Sequence, residues 1–213
     1  MTRIIKLTFN PFQENTYIIY NDKKECWIID PGNSDPNEDK VLLDTINKHG
    51  LKPIELILTH AHIDHVMGNK FVYDQFGLQA LLHEKEMPVL QFADAAAARW
   101  GIPYTKSPEP KGFIKEGTTI KLGEDSFDIL FTPGHSPGSI CFYNKADKYC
   151  ISGDVLFQGS IGRTDLPGGD YDTLINSIKT QLLTLDDDVV IYNGHGNETT
   201  IGRERRSNPF LVG

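Results

Sequence analysis

Cysteine, positive charge and long apolar runs are all scarce in this chain of 213 residues. Its three cysteines do not make a disulfide framework, and we expect them to pack as small apolar thiols. Lysine and arginine number 21 against 29 aspartates and glutamates, and the net charge of −8 at pH 7 argues against a nucleic-acid partner, which needs a basic face. No stretch approaches the length of a membrane span, and the start lacks the apolar region of a signal peptide. We therefore expect a cytosolic protein without a membrane partner.

The order of apolar and polar residues predicts an α/β protein. The length fits one domain, residues 1–213, that buries a substantial core. Alternating or apolar runs predict strands, and apolar residues at helical spacing predict helices. The predicted strands include 3–9, 15–20, 25–29, 54–58 and 118–122, and the predicted helices are 37–49, about 65–76, 95–100 and 171–183.

Some cysteines and histidines receive no functional role. If residues 139–143 and 148–152 form a hairpin, Cys141 and Cys150 can lie opposite one another. His49 precedes a glycine where a helix is expected to end, a position that favours a cation. His83 precedes a charged run, and we expect it to be exposed.

Three histidines and an aspartate fall within six residues directly after an apolar strand: His60, His62, Asp64 and His65. Imidazole nitrogen and carboxylate oxygen suit zinc and other borderline divalent cations. Alternation along extended backbone lets His60 and His62 point the same way, whereas Asp64 and His65 follow where the chain turns. A solvated loop has no reason to collect these residues, so the cluster predicts two neighbouring metal positions.

Three further side chains of the same types stand at the ends of other predicted strands. His135 lies in a tight turn rich in glycine and proline after residues 126–130. Asp154 ends an apolar strand, and His195 follows another strand between two glycines that let backbone pass close to a ligand. Each of the two histidines alone would be assigned to a loop. Residue type and setting make all three candidates for further metal ligands.

The run 60–65 resembles the H-x-H-x-D-H signature of the metallo-beta-lactamase superfamily, the dinuclear metallohydrolases, and the other segments match motifs of that family in the family's order. The resemblance implies an αββα sandwich, in which two packed β-sheets lie between helical layers. It implies that Asp154 bridges the two metals and that Asp30 braces the metal loop. The implied ligands of the first metal are His60, His62 and His135, and those of the second are Asp64, His65 and His195.

Hydrolysis is the chemistry that the resemblance implies. Two divalent cations about 3.5–4 Å apart can share a bridging water and bring its pKa near neutrality. We expect zinc, with iron or manganese as alternatives, and we expect Asp64 to orient the water as the catalytic side chain. The substrate would be a small molecule with an ester, thioester, lactone or amide bond.

Within the family, the chain resembles the small bacterial form of glyoxalase II, the hydroxyacylglutathione thioesterase. β-Lactamases of this fold generally lack the bridging aspartate, which disfavours β-lactam hydrolysis. Glyoxalase II commonly has a lysine at the offset of Arg163, so Arg163 would hold a substrate carboxylate, or it would instead pair with Asp165 or Asp170. S-D-lactoylglutathione or a related hydroxyacyl thioester is the expected substrate.

Two features depart from the glyoxalase II pattern. Only eighteen residues follow His195, so we expect no C-terminal helical domain of the kind that supplies much of the glutathione pocket. Asp165 stands where a tyrosine is usual. If the substrate contains glutathione, Trp100, Tyr104 and the loop 101–115 would have to hold it; the alternative is that Trp100 and Tyr104 pack in the core or in a lid.

The second hypothesis is a persulfide dioxygenase. These enzymes share the fold, the H-x-H-x-D-H residues and a Gly-Arg-Thr-Asp segment like residues 162–165. They bind one iron through two histidines and one aspartate, in the manner of a facial triad. Metal content and oxygen uptake would separate the two hypotheses.

Overall fold

The chain divides into two units, each with its own six-stranded sheet. The computed structural model describes residues 1–212. The first unit holds residues 1–114 and 121–125, and the second holds residues 115–120 and 126 onward. Both sheets are mixed and helices follow strands in each unit, so the predicted α/β class is confirmed. No helix within residues 1–212 is long and apolar enough to cross a membrane.

Parallel and antiparallel pairing are combined in the first sheet. Its strands are β1 (Arg3–Phe9), β2 (Glu14–Tyr20), β3 (Glu25–Ile29), β4 (Lys52–Ile57), β5 (Ala80–Leu82) and β6 (Gly112–Phe113). The strands lie in chain order; β1 to β3 pair antiparallel and β3 to β6 pair parallel. Because β3 and β4 run the same way, their carboxyl ends lie at one edge of the sheet, where Asp30 and the run that begins at Thr59 follow.

The first unit also contains six helices. They are α1 (Pro36–His49), α2 (Ile63–Val66), α3 (Asn69–Phe76), a 3₁₀ helix (Glu84–Glu86), α4 (Met87–Gln91) and α5 (Ala93–Trp100). The Asp35 side chain accepts the first N–H groups of α1, and Gly50 ends that helix at φ 62°. The predicted helix 37–49 is therefore confirmed, with His49 at its carboxyl end.

The predicted helix 65–76 is interrupted at residues 67–68. The Gly68 N–H donates to the carbonyl of Pro31 at 2.7 Å. A Cβ atom on Gly68 would lie 1.9 Å from the Asn33 side-chain oxygen. The chain thus bends where Gly68 meets the turn after β3, and the bend separates α2 from α3.

The second sheet has the strand order β14-β13-β10-β9-β8-β7, and a small two-stranded ribbon, β11 with β12, accompanies it. The ranges of these strands are β7 (Thr119–Leu122), β8 (Asp125–Phe131), β9 (Ile140–Asn144), β10 (Tyr149–Gly153), β11 (Leu156–Phe157), β12 (Ser160–Ile161), β13 (Val190–Asn193) and β14 (Thr199–Thr200). β10 and β13 run parallel, so Asp154 and the residues after Asn193 leave the sheet at the same edge.

Two helices complete the second unit. The predicted helix 171–183 forms as α6 (Tyr171–Ser177), which continues as a π-helix over Ile178–Leu182. The second helix is α7 (Ile201–Ser207). The spacing predicts an apolar face of Leu174, Ile175, Ile178 and Leu182; three of these are fully buried, and Ile175 is partly buried.

All three cysteines are buried thiols, as predicted. The predicted hairpin of β9 and β10 forms, but its register places Cys150 opposite Tyr143 rather than opposite Cys141. The two cysteines are therefore not directly opposite one another, although their side chains form a hydrogen bond on the same face of the hairpin. Burial raises the pKa of the Cys26 thiol to about 12, which makes it inert at neutral pH.

Candidate metal centre

The loop between β4 and α2 brings four predicted ligands together in the first unit. His60 is buried, and its ring centroid lies 4.9 Å from that of His62 and 4.1 Å from that of His65. His62 precedes the first residue of α2, and Asp64 and His65 lie within that helix. The Nε2 atom of His65 lies 3.7 Å from an Asp64 carboxylate oxygen. Because the chain changes from extended to helical after His62, side chains that are close in sequence also lie close together in space.

Asp30 lies buried at the end of β3 and connects two of these histidines. Its Oδ1 accepts the Thr59 N–H at 2.7 Å, and its Oδ2 accepts the Thr59 hydroxyl at 2.5 Å. The same Oδ2 lies 3.2 Å from His65 Nδ1, and Thr59 Oγ1 lies 3.1 Å from His60 Nδ1. Asp30 adopts φ 50°, a strained value for a non-glycine residue, which these contacts stabilise.

These contacts determine which ring nitrogen carries the proton. The single Thr59 hydroxyl proton goes to the Asp30 carboxylate, so His60 Nδ1 must donate to Thr59 Oγ1. A carboxylate oxygen accepts, so His65 Nδ1 donates to Asp30. Both rings then present the Nε2 lone pair, which is the form in which imidazole binds a metal.

Carboxylates are buried around this loop without buried cationic side chains. Glu14, Asp30 and Glu86 are at most 1% exposed, and no lysine or arginine among residues 1–212 is buried. Burial raises the pKa of Glu14 well above its usual value, and the neighbouring His65 opposes that shift. One Glu14 carboxylate oxygen has no hydrogen bond and lies 3.8 Å from His65 Nδ1. A divalent cation beside the loop would favour the ionised form of these carboxylates.

Two of these acids were missed by the sequence analysis. Glu14 begins the fully buried strand β2, one residue before the predicted strand 15–20, and the polar residues 14–16 gave no signal that it would be buried. Glu86 belongs to the charged run 84–86, which reads as a solvated surface. His83, predicted to be exposed, is only 2% exposed, because it caps the 3₁₀ helix with its Nδ1 atom accepting the Lys85 N–H.

His135 lies in the predicted tight turn of the second unit. Gly134, which precedes it, has φ 129°, and a Cβ atom there would lie 2.3 Å from the Leu174 nitrogen in α6. The His135 Nδ1 atom lies 2.8 Å from the carbonyl oxygen of Arg163. Because a carbonyl only accepts, Nδ1 carries the proton and Nε2 carries the lone pair.

Asp154 stands between the two histidines of this unit. Its Oδ2 atom lies 3.5 Å from His135 Nε2 and 3.3 Å from His195 Nε2. In the neutral His135 ring, the Nε2 lone pair therefore faces the lone pairs of a carboxylate oxygen. Such an arrangement requires a cation, either a proton on imidazole or a metal ion. The donor set of two imidazoles and one carboxylate fits a divalent metal ion.

Arg163 makes one of the two ion pairs that its sequence position allowed. Its guanidinium binds Asp165 through two hydrogen bonds of 2.7 Å, and these bonds lower the pKa of Asp165 to about 2. Asp170 instead caps α6 by accepting the Thr173 N–H. Both partners of the Arg163 pair are exposed, so a competing carboxylate can reach the guanidinium.

Trp100 and Tyr104, the two aromatic residues considered for substrate contact, differ in exposure. Trp100 is 53% exposed and packs edge-on against Phe12, with ring centroids 5.8 Å apart. The Tyr104 hydroxyl accepts the Ser107 N–H, and burial raises the Tyr104 pKa. Tyr104 thus stabilises its own loop, whereas the half-exposed Trp100 side chain can contact a ligand.

Comparison with known proteins places the chain in a family. The model of the metallo-beta-lactamase superfamily matches residues 9–195. The chain belongs to the metallo-beta-lactamase superfamily. The resemblance inferred from the sequence is therefore confirmed. Because this family binds metal ions, the His and Asp clusters belong to a metal-dependent hydrolase of the metallo-beta-lactamase fold.

Individual members of the superfamily are similar over nearly their whole length. The hydroxyacylglutathione hydrolase GloC of Haemophilus influenzae is 45% identical over 202 residues, which cover 94% of this chain and 93% of that protein. The crystal structure of the BLEG-1 B3 metallo-beta-lactamase has a TM-score of 0.90 at 38% identity and full coverage of both chains. TTHA1623, solved in a di-iron-bound form, has a TM-score of 0.86 at 40% identity over 97% of this chain and 100% of that one.

Proposed function

We propose that this member of the superfamily is a dinuclear metal-dependent thioesterase that acts on S-D-lactoylglutathione or a related hydroxyacyl thioester. The observation that carries the proposal is the Asp154 oxygen, which lies within 3.5 Å of the Nε2 atoms of both His135 and His195. A carboxylate so placed suits a bridge between two cations. The similarity to a named hydroxyacylglutathione hydrolase supports the choice of substrate.

Seven side chains would hold the two ions, with Asp154 shared by both. One ion would take His60, His62 and His135, and the other would take Asp64, His65 and His195. Zinc suits this mixture of imidazole and carboxylate, and iron or manganese are the alternatives. When bound, the two ions would lower the pKa of a water molecule and polarise the thioester carbonyl.

The chain's own groups orient these ligands and the reactants. Asp30 and Thr59 keep the Nδ1 protons on His60 and His65, and the Arg163 carbonyl does the same for His135. The Asp64 carboxylate, which is partly exposed, would orient the attacking water. Water adds to the carbonyl carbon, the C–S bond breaks, and the hydroxy acid and the thiol leave.

A thiol-release assay tests the function directly. We expect zinc-loaded protein to hydrolyse S-D-lactoylglutathione in steady state, while protein stripped of metal by a chelator stays at the buffer rate. Two bound zinc ions per chain should accompany full activity. If the zinc-loaded protein hydrolysed the thioester no faster than the uncatalysed rate in buffer, the thioesterase proposal would be wrong.

Two further assays test for persulfide dioxygenase and β-lactamase activity. Iron-loaded protein is assayed for oxygen uptake on glutathione persulfide, because the dioxygenase hypothesis requires one iron and consumption of oxygen. β-Lactam hydrolysis, which the presence of Asp154 disfavours, is assayed as well, since a structure at TM-score 0.90 is that of a B3 metallo-beta-lactamase. Robust oxygen uptake or β-lactam turnover without thioester turnover would replace the proposal.

Arg163 provides a test of substrate recognition. We propose that its guanidinium binds a substrate carboxylate in competition with Asp165. The change Arg163→Ala is expected to lower kcat/KM about ten- to a hundredfold, the loss of one charge-assisted contact. Metal content should not change, because the Arg163 carbonyl that binds His135 remains. Steady-state kinetics and metal analysis measure both quantities.

The matched control is Arg206→Ala, since Arg206 is another exposed arginine of the second unit that pairs with an aspartate, Asp187. It should leave kcat/KM unchanged. Asp165→Ala should keep or improve kcat/KM, because it removes the competing carboxylate. Unchanged kinetics in Arg163→Ala would leave Arg163 as an ion-pair partner only.

A further inference from the structure

Glu86 is a fully buried glutamate that contacts the loop of the first histidine cluster. It is 0% exposed and ends the 3₁₀ helix Glu84–Glu86. One of its carboxylate oxygens, Oε2, accepts the Ala61 N–H at 2.8 Å. Burying a carboxylate costs free energy unless the group is hydrogen-bonded. The hydrogen bond to Ala61 therefore offsets part of the cost of burying Glu86.

Ala61 is the single residue between His60 and His62. Residues 60–62 lie in neither a strand nor a helix, and the His62 carbonyl accepts the His65 N–H at the start of α2. Ala61 is itself fully buried, which denies its N–H a water partner. The peptide that carries this N–H joins His60 to Ala61, and its orientation sets the direction of both imidazoles. The Glu86 carboxylate therefore accepts a hydrogen bond from the peptide that orients both His60 and His62.

The position of Glu86 is in turn determined by the sheet. β5 pairs with β4, and directly after β4 the Leu58 N–H donates to the Leu81 carbonyl within β5 at 2.9 Å. The 3₁₀ helix starts two residues after β5, where the Glu86 N–H donates to the His83 carbonyl at 3.0 Å. The pairing of β4 with β5 thus fixes the position of the Glu86 carboxylate relative to the histidine loop.

We propose that Glu86 is a positioning residue whose carboxylate oxygen fixes the Ala61 peptide and so aims His60 and His62 at one metal ion. The inference rests on the proposed metal ligands but not on the identity of the substrate. Outer partners of metal ligands act by restricting the orientation of those ligands. Glu86 would do so through the main chain, whereas Asp30 acts on the rings.

Three substitutions at Glu86 separate positioning from folding. Glu86→Ala removes the acceptor, Glu86→Asp shortens its reach, and Glu86→Gln keeps a carbonyl oxygen at the same distance along the side chain. We expect Glu86→Ala and Glu86→Asp to weaken zinc binding about ten- to a hundredfold, as the loss of other outer partners does. Glu86→Gln should recover most of that affinity. Competition with a chromophoric chelator measures zinc affinity.

Absorption spectra of cobalt-loaded variants supply a readout that folding alone does not move. The ligand-field bands should shift and broaden in Glu86→Ala and return toward the wild-type positions in Glu86→Gln. Thermal melting of metal-free protein reports the structural contribution separately. The control is Glu84→Ala, an exposed glutamate of the same 3₁₀ helix, which should leave zinc affinity and the spectrum unchanged.

Three results would overturn the proposal. One is wild-type zinc affinity and an unchanged cobalt spectrum in folded Glu86→Ala. Another is a loss confined to the melting temperature of the metal-free protein. The third is a Glu86→Gln variant as defective as Glu86→Ala, which would assign the effect to charge rather than to the hydrogen bond. None of these readouts uses thioester turnover, so failure of the thioesterase assay would leave the inference on Glu86 standing.

Discussion

Replacement of Asp154 by alanine is expected to reduce the bound metal below two ions per chain and to lower thioester turnover more than about a hundredfold. Loss of an outer partner of a metal site already costs about 10–100-fold, and Asp154 would be a shared ligand. Without it, the Nε2 atoms of His135 and His195 lose the oxygen that lies 3.5 and 3.3 Å away. Metal analysis and steady-state kinetics measure the two effects.

Two further variants make the Asp154 result specific. Asp154→Asn keeps the shape of the side chain but removes its charge, and it should also lose metal. Asp172→Ala changes an exposed aspartate in the first turn of α6 and should bind metal and turn over normally. An Asp154→Ala protein with two ions and the normal rate would exclude Asp154 from the centre.

Replacement of Gly134 by alanine is expected to destabilise the protein by about 3 kcal/mol or more, from backbone strain together with overpacking. Gly134 has φ 129°, and an added Cβ atom would lie 2.3 Å from the Leu174 nitrogen, a backbone atom that cannot rotate away. Because His135 is the next residue, the shift should also weaken metal binding. Denaturation of metal-free protein gives the stability change, and chelator competition gives the affinity.

Gly159→Ala is the matched control for Gly134→Ala. Gly159 also has a positive φ, 68°, but an added Cβ atom meets nothing within 4 Å. Gly159→Ala should lower the free energy of unfolding only by the cost of the left-handed backbone, about 1 kcal/mol. Equal destabilisation by the two substitutions would contradict the predicted clash with α6.

Local sequence signals predicted much of the fold. The predicted bounds of β1 and β3 agree with the structure, because alternation and turn residues mark short strands clearly. Helix α1 was predicted within one residue, since Gly50 can adopt the left-handed conformation that ends a helix. The family followed from the spacing of His60, His62, Asp64 and His65, a pattern that no secondary-structure preference produces.

Other features depended on contacts between segments distant in sequence. The break between α2 and α3 arises where Gly68 meets the Pro31 carbonyl and the Asn33 side chain. The pairing of Cys150 with Tyr143 depends on the register of a hairpin, which the cysteine spacing does not encode. Arg163 could have paired with Asp165 or Asp170; in the folded chain it pairs with Asp165, whereas Asp170 caps α6.

By itself, the sequence determined the donor types, their order along the chain and the family, because metal ligation depends on side-chain chemistry and short-range spacing. Tertiary structure alone decided which nitrogen of His60, His65 and His135 carries a proton, since Thr59, Asp30 and the Arg163 carbonyl approach those rings only in the folded chain. It also decided that Glu86, within a charged run, is buried against the Ala61 N–H. Burial is a property of the packed chain, and a glutamate that will be buried cannot be told locally from one that stays in water.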